Sequence, residues 1–150
     1  MIKQIDYMQL ALKEAVKAEK KNEVPVGAII VDHSGKIIAK AHNMVEFRNN
    51  PTCHAEKIVI EKALKITRHR FLQDCDLWVT LEPCAMCAGM IKQTRIKRLY
   101  YGAEDKKGGA VDNGPRVFSS NQVKSSIEIY SGISSKISKD LLNSFFTKLR

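Results

Sequence analysis

The sequence lacks several features, and each absence removes a class of protein. No stretch approaches the ~18 consecutive apolar residues of a membrane helix, so no membrane association is expected. The opening residues, MIKQIDYMQL, carry an acid at Asp6 and no long apolar run. They do not read as a secretory signal, and a cytoplasmic location is expected. Cysteines number four, Cys53, Cys75, Cys84 and Cys87. With no signal, and with 150 residues from which to build a core, disulfide staples are neither expected nor needed. There is no second Cys-x-x-Cys and no His-x-x-x-His, so a closed four-ligand structural zinc site is not provided for. Neither an internal repeat nor a low-complexity linker interrupts the chain, which predicts one domain over 1–150. Acids are scarce relative to bases: 16 Asp and Glu against 25 Lys and Arg, a net charge of +9. Such an excess points to an acidic partner, of which nucleic acid is the usual one. A general richness in lysine would produce the same excess with no binding role.

The apolar residues that are present define the elements. Residues 3–21 place Ile5, Met8, Leu12, Ala15 and Val16 at helical spacing, with Lys and Glu on the other face and Asn22 near the end. PVGAIIVD, 25–32, is a buried strand, HSG, 33–35, a turn, and KIIAKAHN, 36–43, the second strand of a hairpin. Residues 44–51 read as a loop. A helix over 52–67 sets Ala55, Ile58, Val59, Lys62, Ala63 and Ile66 on one side. DLWVTL, 76–81, is a strand, PCAMCAGMIKQ, 83–93, a short helix opened by proline, and RLYYGA, 98–103, a strand. A polar loop covers 104–116, and a weaker strand lies within 125–133. The closing helix, 138–150, carries Leu141, Leu142, Phe145, Phe146 and Leu149 as its apolar stripe. This alternation predicts an α/β fold, a sheet covered by helices on both faces, with the first two strands antiparallel and the later ones parallel.

Two motifs carry the chemistry. Cys84 and Cys87 are three apart at a helix start, so both sulfurs can turn toward one point, and the positive end of the helix favours thiolates. His54 supplies a third ligand. Three protein ligands and an open fourth position describe a catalytic zinc. Glu56 lies two residues after His54, about 200° round an ideal helix. The pair can approach one metal only from beyond the helix end, which is where the turn at 50–52 places it. Glu56 need not be a ligand; it is a base for the water in the open position. Cys53 and Cys75 read as structural, and Cys53 should point away from its neighbour His54. Singly, these residues are ordinary: a polar His, a first-turn acid, two small core cysteines. Together they match the H-x-E…P-C-x-x-C pattern of zinc nucleobase deaminases.

More of the chain shows a narrower likeness. EVPVGAIIV at 23–31, HN at 42–43, NPTCHAE at 50–56, VTLEPCAMCAGMI at 79–91, RIKRLYYGAEDKKGG at 95–109 and LLNSFF at 141–146 resemble the bacterial tRNA-specific adenosine deaminases. The resemblance implies a three-layer α/β/α cytidine-deaminase-like fold with a five-stranded mixed sheet. It also implies one Zn²⁺ per subunit, a homodimer, and deamination of the wobble adenosine in a tRNA anticodon stem-loop to inosine. By the same resemblance Asn43 and the Ala55 N–H should bind the base. Glu23, Val26 and Phe145 should shape the nucleotide pocket. Asp105, Lys106 and Lys107 belong to an RNA-contacting loop, and Lys148 and Arg150 should meet phosphates. Two departures stand out: Cys53 replaces the alanine of many members, and 110–122 lacks their Gly-Ser-Leu pattern. The rival expectations are a deaminase of a free base or nucleotide, such as guanine, cytosine or a pterin-like precursor, and a non-catalytic zinc module that binds nucleic acid.

Overall fold

The computed structural model describes residues 4–119 and 126–150. Helix α1 (Tyr7–Lys20) opens on Asp6, whose carboxylate accepts the Gln9 N–H at 3.1 Å, an N-cap that satisfies one of the free donors of the first turn. Met8, Ala11, Leu12, Ala15 and Ala18 form its buried stripe. Ile5 and Val16, expected in that stripe, are instead exposed. Ile5 precedes the helix, and Val16 lies about 100° from the stripe's centre at 3.6 residues per turn.

β1 (Gly27–Val31) and β2 (Ile37–His42) form the expected antiparallel hairpin, with a register shift between Ile30 and Val31. The loop expected at 44–51 contains a single helical turn, α2 (Val45–Arg48). It is too short to show a periodicity, and its N-terminal amides are held by a distant side chain, Glu23. α3 (Ala55–Thr67) begins after His54, three residues later than expected. It buries Ile60, whereas Lys62 and Ile66 face solvent. β3 (Asp76–Leu81) and β4 (Arg98–Ala103) have the expected bounds, and α4 (Ala85–Gln93) lies between them. β5 (Glu128–Tyr130) is the weaker strand; of the span expected for it, Ser125 lies outside the described residues, as do Lys3 of the first helix and 120–122 of the departing loop. α5 (Ser135–Lys148) starts three residues early. Of its expected stripe only Phe145 is buried, while Phe146 and Leu149 are exposed.

The sheet order is β2-β1-β3-β4-β5; β1 is antiparallel to both neighbours, and β3, β4 and β5 run parallel. This is the three-layer α/β/α arrangement with a five-stranded mixed sheet. β1 is buried along its whole length, because its alternate side chains serve two cores. Ala28 and Ile30 join Leu77, Val79, Leu99 and Tyr101 against α3 and α4. Ile29 and Val31 pack on Met8, Ala11 and Leu12 of α1. These directions gather the start of β1, the end of β2 and the carboxyl ends of β3 and β4 at one edge of the sheet. The amino ends of α3 and α4 lie there too.

Candidate metal centre and catalytic pocket

That edge opens into a cavity of about 800 Å³ whose wall includes Asn43, His54, Glu56, Cys84, Asp105 and Phe145. His54 and Cys84 occupy equivalent positions, the N-caps of α3 and α4, both with extended backbones. Cys87 follows one turn into α4 and is fully buried. The His54 Nδ1 lies 3.5 Å from Cys84 Sγ and 3.6 Å from Cys87 Sγ, and the three donor atoms lie within 4.8 Å of one another. Tetrahedral zinc, with Zn–S near 2.3 Å and Zn–N near 2.0–2.1 Å, requires a sulfur–nitrogen separation of about 3.6 Å. The cradle therefore fits zinc, and Nδ1 is the imidazole donor. Cys53 is buried in the main core, and Cys75 is also buried, its thiol pushed up to about 11 by burial and nearby carboxylates. Both are free cysteines outside the cluster.

The electrostatics match a thiolate site. The Cys87 thiol donates to Cys84 and, with help from His54, pulls Cys84 down to about 4. Cys87 is pushed up by that same bond and by burial. His54 is raised, chiefly by its hydrogen bond with Cys84. Glu56 is almost wholly buried and raised to about 7 by desolvation.

The surrounding residues divide into those that face the cavity and those that hold it. Asn43 is buried, and its Oδ1 accepts the Ala55 N–H at 2.8 Å. The Ala55 amide, expected on the base, is thus engaged by Asn43, and Ala55 itself is fully buried. Glu23 lines the cavity, but its carboxylate accepts the N–H groups of Glu46 and Phe47 at 2.9 and 2.8 Å. It fastens α2 and presents no free charge. Val26 forms apolar wall. Asp105 caps its own turn, accepting from Lys107 and Gly108. Lys106, Lys107 and Arg150 border an adjoining cavity, whereas Lys148 pairs with Glu19 at 3.5 Å. Phe145 packs edge-on to Phe146, ring centroids 5.4 Å apart, and both line the pocket.

One residue central to the site has almost no signature in the sequence. Glu82, two residues before Cys84, is 2% exposed. Its Oε1 accepts Asp105 N–H and Asn113 Nδ2, and its Oε2 accepts the N–H groups of Val111, Asp112 and Asn113. These bonds outweigh burial and hold its carboxyl below the usual range. Glu82 thereby ties the metal-bearing turn to the 104–113 loop. Its sequence signal is its place in VTLEPCAMCAGMI, an acid between an apolar strand and Pro83, which names no partner for it.

A thiolate–imidazole cradle with an open side, set beside a buried carboxylate, defines a zinc-dependent hydrolytic enzyme. Comparison narrows the class. Residues 1–103 match the model of the cytidine and deoxycytidylate deaminase zinc-binding region. The tRNA-specific adenosine deaminase of Rickettsia typhi is 50% identical over 144 residues, 95% of this chain and 97% of that protein. That of Agrobacterium fabrum is 43% identical over 100% of this chain and 98% of its own. A solved structure from studies of A-to-I editing by tRNA:A34 deaminases superposes with TM-score 0.87, at 45% identity, covering 91% of this chain and 98% of that one. The chain belongs to the zinc-dependent cytidine and deoxycytidylate deaminase family, on its tRNA-specific adenosine deaminase branch.

Proposed function

We propose that this chain is a single-domain hydrolase of 1–150 that converts adenosine to inosine at the anticodon wobble position of tRNA, working as a cytoplasmic homodimer. The observation that carries the chemistry is the placement of Glu56, buried in the wall of the pocket that His54 and Cys84 also line and interacting with all three ligand residues. The substrate class rests on relatives that match nearly end to end and are tRNA-specific adenosine deaminases. No helix among the described residues is long and apolar enough to cross a membrane.

His54, Cys84 and Cys87 would hold the zinc, which when bound would supply Lewis acidity to the reaction. Glu56 takes a proton from the attacking water and passes it to the ring nitrogen next to C6. The water oxygen bonds to C6. Glu56 then carries the second proton to the exocyclic amine, the C6–N bond breaks and ammonia leaves. Adenosine and water become inosine and ammonia. Asn43, held by the Ala55 amide, offers its Nδ2 to the base. Val26 and Phe145 clamp the ring, and Glu23 keeps α2 in place around it. Asp105 shapes the loop that carries Lys106 and Lys107 toward the RNA.

The test is inosine formation in a mixed tRNA pool by zinc-loaded protein. Inosine confined to a wobble position is expected. Glu56→Ala should retain zinc and lower turnover by on the order of 10²–10⁴-fold. Preserved turnover in that variant would sink the mechanism, and equal activity on free guanine or cytosine would overturn the substrate.

A further inference from the structure

A second cavity lies at the opposite edge of the sheet. Its volume is about 640 Å³, and Arg70, Phe71, Lys92, Arg95 and Lys97 line it. Topology fixes the separation. These residues precede the amino ends of the parallel strands β3 and β4, whereas Glu82, Cys84 and Asp105 follow the carboxyl ends. Arg68, at the end of α3, adds a further cation beside the same segment.

Four features separate this bowl from ordinary surface charge. Among the described residues, none of these cations forms an ion pair; Asp76, whose carboxylate feels Lys97 through space, already faces Arg98 at 3.8 Å. Phe71 is half-buried, with the Arg95 guanidinium 3.9 Å from its centroid and Arg70 at 5.5 Å. A stacked guanidinium gives up its face to the ring but keeps its in-plane N–H groups free for an oxyanion. Arg68 and Arg95 have φ of 58° and 60°, a conformation L side chains seldom adopt and one where glycine is usual at a helix end. Finally, helix dipoles favour a cation at the ends of α3 and α4. They do not account for Arg70 or Lys97, which lie in the connecting segments, nor for the aromatic ring that both Arg70 and Arg95 approach.

We propose that this bowl is a second RNA-binding site that grips phosphodiester groups through Arg70, Arg95 and Lys97, independently of the catalytic pocket. None of these cations forms an ion pair among the described residues, two guanidiniums stand over the Phe71 ring, and the cavity falls within the range of ligand sites. Its occupant is a single-stranded RNA segment: the cations suit its phosphates, and Gln73, Gln93 and Ser126 of the same bowl can bond the edges of unstacked bases. This inference goes beyond the deaminase reading and does not depend on it.

The experiment uses the zinc-loaded, full-length protein and a fluorescent oligouridine of roughly a dozen nucleotides, a length suited to single-strand grooves. Containing no adenosine, the probe is not a deamination substrate. Binding is followed by anisotropy against salt. The variant Arg70→Gln/Arg95→Gln/Lys97→Gln should bind more weakly, and its log K against log salt slope should flatten by about 2, near 0.7 for each phosphate that is no longer neutralised. Deamination of an anticodon stem-loop by that variant should be unchanged. Lys13→Gln/Lys36→Gln/Lys40→Gln removes the same charge from exposed positions elsewhere and should leave the slope intact. Oligouridine binding unaltered in the first variant overturns the proposal. Equal weakening in the control variant also overturns it. Failure of deamination itself would show in the turnover arm alone.

Discussion

At the scale of single residues, the site depends on a few buried polar groups whose partners leave little slack. Asn43, Glu56 and Glu82 are each under a tenth exposed, and a buried polar group without a partner is costly. Glu82 is the sharpest case. As a carboxylate it accepts three consecutive amides on one oxygen. Glu82→Gln keeps the shape but replaces an anion by an amide, whose NH₂ can only oppose those donors. It should cost about 1–3 kcal/mol, a melting shift of several degrees for a chain this long. Zinc content should not change, since no ligand is touched. A melt indistinguishable from the parent would show that the 104–113 loop does not need Glu82. Glu14 makes a different prediction, one about pH. Burial pushes its carboxyl up, but hydrogen bonds with Lys17 and His42 together hold it below the usual range. A depressed acid stabilises the fold above its unfolded pKa, about 4.3, and that contribution is lost as pH falls through the lower folded value. Glu14→Gln should therefore be less stable than the parent at neutral pH, with the gap closing in acid. A gap that is constant from neutral pH into acid would contradict this.

At the scale of elements, what could be read from the sequence follows what is local. β3 and β4 had legible bounds because their apolar runs end at turn residues, and the hairpin was legible from HSG. The two motifs were legible because ligand spacing is a local property, and both proved to sit at N-caps. What was not legible depends on distant partners. α2 is a single turn whose amides bind Glu23, more than twenty residues away in sequence. Ile66 and Val16 have the right period but point past the edge of the packed layer. Phe146 and Leu149 belong to an apolar stripe whose outer part covers the pocket, not the core. Glu82 falls inside the VTLEPCAMCAGMI stretch, but its role was not legible because its partners lie on another loop. Gly27 is a related case. A Cβ there would sit 2.0 Å from the Ala11 carbonyl oxygen and 2.6 Å from the Ala15 nitrogen. α1 thus rests backbone-first on β1, which is why alanines fill that face. Gly27→Ala must push the helix off the sheet, and overpacking of this kind costs about 1–3 kcal/mol or more. The denaturation midpoint should fall, with zinc still bound in the folded fraction. An unchanged midpoint would mean that the helix can shift freely.

At the scale of the whole molecule, the question is what the charge of +9 does for catalysis. A small free base would gain nothing from it, whereas a polyanion is drawn in and then held by contacts that release counterions. The apolar part of the pocket, with Val26, Phe145 and Phe146, suits a base, and the cations stand outside it: Lys106, Lys107 and Arg150 border the adjoining cavity. Base chemistry and phosphate attraction are therefore spatially separate, and salt should distinguish them. The kcat/KM for an anticodon stem-loop should fall steeply with salt, with a slope of about −2 to −3 if those three cations each meet one phosphate at 0.7–0.9 apiece. Lys106→Gln/Lys107→Gln should flatten the slope by about 1.5 and leave kcat at saturating RNA nearly unchanged, because neither side chain reaches the ligand cluster. A salt-independent kcat/KM in the parent would mean that the excess charge is compositional, and the pocket would then have to select its substrate by the base alone. A slope that persists in the double variant would move the phosphate contacts to other cations, with Arg150 next to be replaced.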